Sequence, residues 1–399
     1  MTAWAVGTQL RKAESAQPTP TPSSNGSGNG AAKPSPSAPA AGSPTPTASS
    51  TVTPKPSATV SPTPGSSAGT TGSPTPTPSD SSRVKLSFVG DVIFASTVET
   101  VLRQNGFDYG FAQVKSVLQD ADLAIANLET PITTRGDEQK KEYVYRSTPD
   151  ALPAFAEAGF DLVNLANNHI LDYGVDGLLD TFKHLDKTGI KYFGAGHNAE
   201  EAFRPVIVEK KGIKIAFLGL SRVVPDADWK AGKDKNGKDR PGVADTYGLD
   251  LPLKAITDAK SKADLVVVIP HWGIERNDMP EAYQKEYARK YIDAGADLIV
   301  GGHPHVLQGF EQYKGKWIAY SMGNFLFTTR ADEPKTWDSG ILQASCSKTA
   351  GCELKLVPVL TKWAQPVFMQ EPESVKLFER LSGISFGAIV NKDGTIRAQ

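Results

Sequence analysis

From residue 83 onward the chain repeats one rhythm, and that rhythm restricts it to few folds. A short apolar run, often β-branched, stops at a polar residue, and a segment with apolar positions at helical spacing follows. The runs are 84–90, ending at Asp91; 121–126, delivering Asn127-Leu-Glu129; 161–166, delivering Asn167-Asn-His169; 264–269, delivering His271-Trp-Gly-Ile-Glu275; and 298–300, which turn through Gly301-Gly302 into His303-Pro-His305. Helical spacing falls at 96–104, 109–119, 149–158, 175–187, 251–262 and 281–294. Further strands are expected at 190–194, at 204–208 and 213–219 as an antiparallel pair, at 316–320 before Ser321-Met-Gly-Asn324, at 340–345 and at 353–360, with a last helix near 371–382. Alternation of this kind predicts an α/β fold with mostly parallel central strands.

In such sheets the ligand site lies beyond the carboxyl ends of the strands. Asp91, Glu129, Asn168, His271, His303 and His305 all fall at that edge. Taken singly, each has a plain reading: Asp91 a turn former, Glu129 a solvated charge, Asn168 a loop cap, the histidines satisfied or solvent-facing. Taken together, carboxylate, amide and imidazole donors converging on one edge point to a divalent-metal site of one or two ions. The donor set suits Mn, Fe, Zn or Mg without singling one out. His184, on a helix face, and His197, in a loop, fall outside it.

Residues 1–82 are of another kind. They are almost wholly Pro, Thr, Ser, Ala and Gly, with Ser-Pro-Thr-Pro at 43–46, 61–64 and 73–76. Such a segment buries too little apolar surface to offset its chain entropy, which predicts a disordered, semi-extended stalk before one domain at 83–399. Stalks of this composition are typical of cell surfaces. The apolar start at residues 3–6 is too short for a signal h-region or a spanning helix, so export implies an anchoring segment upstream that is missing from this sequence. Cys346 and Cys352 bracket a turn-prone segment, which suits a local disulfide in an oxidising compartment. With 43 basic and 44 acidic residues the formal charge is −1, which argues against a nucleic-acid partner.

Six stretches carry a family resemblance: Phe88-Val-Gly-Asp91, Asn127-Leu-Glu129, Ala166-Asn-Asn-His169, His271-Trp-Gly-Ile-Glu275, Gly302-His-Pro-His305 and Tyr320-Ser-Met-Gly-Asn-Phe325. On these the chain resembles the CapA family, the poly-γ-glutamate capsule synthesis proteins of the calcineurin-like metallophosphoesterase superfamily. The resemblance implies a double β-sheet sandwich flanked by helices. It implies that Asp91 and His305 hold one metal, that Asn168, His271 and His303 hold a second, and that Glu129 bridges them. His169, after the liganding Asn168, is implied as the catalytic residue that stabilises or protonates a leaving oxygen. One position departs from the superfamily's Asp-x-His motif: Ile93 stands two residues after Asp91, so the first metal loses an imidazole.

The implied function is a cell-surface, metal-dependent hydrolase of phosphoesterase type. The alternative is a non-catalytic component of capsule synthesis that handles a polyanion on a vestigial metal fold. The implied partners are an anionic surface polymer, poly-γ-glutamate or a phosphate-linked one, and membrane-bound capsule synthase components. Residues 222–247 interrupt the strand–helix rhythm. Between Trp229 and Arg240 they carry Lys230, Lys233, Lys235, Lys238 and Arg240 against Asp234 and Asp239. This segment reads either as a mobile solvated loop or as a flexible basic lid that gathers the polymer.

Overall fold

The central strand sequences carry apolar side chains on both faces, and two sheets stacked between helical layers bury most of them. A computed structural model describes residues 83–327 and 332–399. The stalk expected over 1–82, and the apolar start within it, lie outside the described residues. The first sheet opens with β1 (Val84–Val92), β2 (Leu123–Leu128), β3 (Phe160–Asn164) and β4 (Lys191–Phe193), paired in parallel in that order. The second sheet takes β5 (Val206–Lys210), β6 (Ile213–Ser221), β7 (Leu265–His271), β8 (Leu298–Val300), β9 (Phe310–Tyr313) and β10 (Lys316–Ala319), laid out β9-β10-β8-β7-β6-β5. The chain then returns to the first sheet. There β11 (Asn324–Leu326) pairs in parallel with β1, and the antiparallel β12 (Asp338–Ser347) and β13 (Gly351–Lys362) extend the sheet beyond it.

Period-2 alternation assigns each strand face to its layer. Ile215 and Phe217 of β6 and Val267 and Ile269 of β7 pack with Leu86, Phe88, Ile125 and Leu162 of the first sheet, forming the core between the sheets. Their sequence neighbours Ala216, Leu218, Val266 and Val268 turn outward. They meet Ile256 and Ala259 of α3 (Asp250–Lys260) and Ala288 and Tyr291 of α4 (Ala282–Asp293). On the far face of the first sheet, Ala124, Ala126 and Val163 pack under α1 (Ser96–Asn105) and α2 (Gly174–Thr188) through Val98, Leu102, Leu178, Phe182 and Leu185. The result is the expected helix-flanked double sandwich, with parallel strands at the centre of each sheet.

Two local expectations need correction. The helix expected over 109–119 is a short 3-10 turn, Phe107–Gly110, followed by a brief helix, Lys115–Gln119. Phe111, between them, is drawn into an aromatic cluster with Phe94, Phe155 and Phe160, at centroid separations of 5.7–6.3 Å, and that packing overrides local helical spacing. Residues 222–247 are not structureless. Gly242–Val243 pairs with Ala195–Gly196, Gly232–Lys233 pairs with Asp239–Arg240, and Trp229, Val243 and Ala244 are buried. Three of the five basic side chains are tied down: Lys230 to Asp245 (3.6 Å), Arg240 to Asp228 (2.6 Å) and Lys233 to Asp239. A freely moving basic lid does not fit this segment.

Cys346 and Cys352 stand directly opposite in the β12–β13 ladder and form a disulfide. Among the described residues, no helix is long and apolar enough to cross a membrane.

Candidate metal centre

Parallel strands all present their carboxyl ends on one side, and the two sheets bring those ends face to face. Asp91 sits one residue before the end of β1, and its amide donates to Gly323 O at 2.9 Å. That approach requires Gly90, since a Cβ there would meet Gly323 O at 1.9 Å. Glu129 follows β2, with its amide donating to Val92 O at 2.9 Å. His271 ends β7. It is joined to the turn after β8 by Gly302 N donating to Pro270 O (3.0 Å) and Trp272 N donating to Gly302 O (3.1 Å). In that turn His303 and His305 both hold left-handed backbone, with φ of 96° and 58°. Such conformations are costly for non-glycine residues and cluster where a site constrains them.

The structure brings all six candidate ligand residues together. His271 Nε2 lies 2.7 Å from Asn168 Oδ1 and 3.2 Å from Glu129 Oε1. Donor atoms of Glu129, His271 and His303 fall within 4.8 Å of one another, and so do those of Asp91, Glu129 and His305. Glu129 is common to both groups. On the Asp91 side, His305 Nδ1 lies 3.2 Å from Asp91 Oδ2 and 2.9 Å from Asn324 Oδ1.

Burial and the crowding of like groups shape the electrostatics of the site. Burial, and then the neighbouring Asp91, push the Glu129 carboxyl well above its usual range. Burial pushes His271 down to about 4, and it lowers His303 strongly, helped by the adjacent imidazoles. His305 is half-buried, and although desolvation opposes its charge, the bond to Asp91 and the charge of Glu129 outweigh that and carry it up to about 9. Burial likewise opposes the charge on Asp91, yet His305, His271 and Asn127 hold its carboxyl below the ordinary value. Glu129 Oε1 and His303 Nδ1 are buried without any hydrogen-bond partner, a rare condition in folded proteins. The neutral imidazoles of His271 and His303, the Asn168 amide beside them and the orphaned Glu129 and His303 atoms fit a divalent cation. Metal–ligand bonds of about 2.0–2.2 Å leave neighbouring donor atoms roughly 3 Å apart, the spacing seen around His271.

His169 belongs to a network beside these groups. Its Nδ1 is 2.7 Å from Asp172 Oδ2, and Lys141 Nζ contacts Asn168 O (2.6 Å), His169 Nδ1 (3.1 Å) and Asp172 Oδ1 (2.7 Å). Asp172 can only accept, so the ring proton lies on Nδ1 and Nε2 is left free. Burial keeps the ring below its ordinary pKa although Asp172 opposes this. Trp229, from the 222–247 segment, lies under Lys141, with Nζ 5.2 Å from its ring centre.

Several organising residues escaped the sequence reading. Asn127 donates to Asp91 Oδ1 (2.8 Å) and accepts from Asn164 (3.1 Å) and Asn167 (3.3 Å). Asn167 Oδ1 in turn accepts the amides of His169 and Ile170. Asn127, Asn167 and Asn324 lie inside the quoted motifs, and Asp172 lies three residues after His169, so position relative to a ligand was the available signal. Lys141 arrives from a loop and carries no such signal.

The chain is 35% identical over 298 residues to a capsule biosynthesis protein CapA of Bacillus anthracis, covering 72% of this chain and 70% of that protein. It is 35% identical over 283 residues to a PGA biosynthesis protein CapA of Bacillus subtilis, covering 70% and 72%. A probable polyglutamine synthesis accessory protein of Mycobacterium tuberculosis is 34% identical over 212 residues, covering 51% of this chain and 55% of its own. A solved 5'-nucleotidase from Candida albicans superposes at a TM-score of 0.35 and 13% identity, over 68% of this chain and 51% of its own, too distant to bear on function. The profile of the bacterial capsule synthesis protein family PGA_cap matches residues 85–329, more than half of the sequence, and the chain belongs to that family.

Proposed function

We propose that this protein acts at the cell surface in poly-γ-glutamate capsule synthesis or export, as a divalent-metal-dependent hydrolase of phosphoesterase type. The observation that carries the reading is the pair of buried, unpartnered atoms, Glu129 Oε1 and His303 Nδ1, in the middle of converging donors. Asp91, Glu129 and His305 would hold one ion, and Glu129, Asn168, His271 and His303 another. A divalent ion there supplies Lewis-acid polarisation of a phosphoryl oxygen. The chain's own contribution is orientation and proton handling. Asp172 fixes the His169 ring through Nδ1, which makes Nε2 the atom that exchanges a proton with a leaving oxygen. Lys141 ties the Asn168 carbonyl, His169 and Asp172 into one unit. The buried walls keep water away from the ligand carboxylates. The capsule role is supported by the CapA relatives, and the surface location by the Cys346–Cys352 disulfide.

One observation favours a second reading, a non-catalytic component that handles the polyanion. Ile93 is a buried aliphatic residue, 3% exposed, and offers no donor beside Asp91. The two readings separate in one experiment: turnover of bis(p-nitrophenyl) phosphate by the full-length protein with added Mn(II), against the His169→Ala variant. The hydrolase reading expects turnover that falls by about 100-fold or more in the variant, the scale of a lost general acid. No turnover by wild type, or equal turnover by both, contradicts it.

A further inference from the structure

Glu275 stands outside the ligand set required above. It follows His271 by four residues, on the turn leaving β7, and its side chain is exposed. Among the described residues it has no hydrogen bond and no ion pair. Yet a carboxylate oxygen of Glu275 and ring nitrogens of His303 and His305 all lie within 4.8 Å of one another.

The approach is built into the backbone. The Glu275 turn is fastened to the histidine turn by Arg276 N, which donates to Pro304 O at 2.7 Å, and it closes on itself through Asn277 N to Ile274 O at 3.2 Å. Arg276 (φ 64°) on one turn, and His303 (φ 96°) and His305 (φ 58°) on the other, all hold left-handed backbone. Three non-glycine residues in that region, on two turns bonded to each other, carry a conformational cost that a solvated surface charge would not require. The second observation is the orphaned His303 Nδ1, in a residue only 5% exposed. One face of this triad is therefore a buried imidazole without a partner, and the other is a carboxylate without one.

We propose that Glu275 is a further ligand of the divalent-metal centre, on the side where His303 of one ion's set and His305 of the other's meet, the exposed carboxylate that completes a set whose buried carboxylates are Asp91 and Glu129. It supplies a donor in a centre where Ile93 supplies none. The inference rests on the metal-centre reading above. Its test is a calorimetric titration of Mn(II) alone into metal-stripped full-length protein, as wild type, Glu275→Gln and His303→Ala, with circular dichroism to verify the fold of each. Glu275→Gln keeps the side chain's size and removes only its charge, at an exposed position that bonds nothing, so the fold is expected to stand. Mn(II) affinity should fall by about tenfold or more in Glu275→Gln, since even residues that merely support a ligand contribute on the order of 10–100-fold. It should fall in His303→Ala as well. Unchanged affinity in Glu275→Gln alongside weakened binding in His303→Ala overturns the role of Glu275 and leaves the metal centre in place. No binding by wild type, or wild-type binding by His303→Ala, overturns the metal-centre reading and this inference with it.

Discussion

Gly302→Ala should act on the site through a single contact. The Gly302 backbone lies outside the left-handed region, so alanine is conformationally admissible there and the cost is one of space. An added Cβ would stand 2.9 Å from Asp91 Oδ1, while its next contact, His271 Nδ1 at 3.8 Å, is ordinary. Asp91 cannot yield freely. It is fully buried, its Oδ1 accepts from Asn127 Nδ2 at 2.8 Å, and its Oδ2 lies 3.2 Å from His305 Nδ1. Moving the carboxylate by the few tenths of an ångström required strains the Asn127 bond first. A hydrogen bond to a charged group contributes about 1.5–3 kcal/mol, and partial loss implies about 1–2 kcal/mol of destabilisation in urea unfolding of the full-length protein. If about 1.4 kcal/mol of that strain bears on the ion-bound state, Mn(II) affinity falls about tenfold. Unchanged unfolding midpoint and unchanged affinity together would refute the claim that Asp91 is pinned at this position as a ligand.

Ile93→His should raise Mn(II) stoichiometry toward two, as read by calorimetric titration; a single unchanged site would mean that the position does not direct an imidazole at the Asp91 side. The Cys346–Cys352 bridge closes a loop with a sequence separation of 6, so replacing both cysteines with Ser should cost roughly 2 kcal/mol in urea unfolding by the loop-entropy relation. Two free thiols in non-reduced peptide mass spectrometry of exported protein would contradict the bridge. Of the five basic residues at 229–240, Lys235 and Lys238 alone lack an ion pair among the described residues. Lys235→Gln/Lys238→Gln should therefore lower affinity for poly-γ-glutamate and flatten its salt dependence, whereas unchanged binding would place polymer recognition elsewhere.

The α/β alternation with parallel central strands was legible because its signal is repeated, whereas the division into two sheets was implied by the family resemblance alone. Val266 to Ile269 alternate between two cores, and β1, β2, β3, β7 and β8 each end in a motif that names its own edge of the sheet. The candidate ligand residues were legible for the same reason: Asp91, Glu129, His271 and the histidine turn are fixed by distance from a strand end, which sequence records directly. What sequence concealed depends on tertiary contact. Phe111 breaks a helical pattern because three aromatic rings elsewhere in the chain receive it. The 222–247 segment looks like an open loop because its order comes from pairing with Ala195–Gly196 and from the burial of Trp229, neither of which has a local signature. Lys141 joins His169 and Asp172 from a loop with no periodicity to mark it. Glu275 has no local signal of its own, since its approach to His303 and His305 follows from a turn-to-turn bond at Pro304.

A divalent-metal centre assembled by the strand ends underlies every role proposed above. Elemental analysis of purified full-length protein, compared with His271→Ala prepared in the same way, tests it directly. His271 is fully buried and touches both Asn168 and Glu129, so removing its imidazole deletes a donor at the heart of the set. At least one equivalent of divalent metal per wild-type chain, and its loss from the variant, is the expected result. Equal metal content in the two proteins, or none in either, would contradict it.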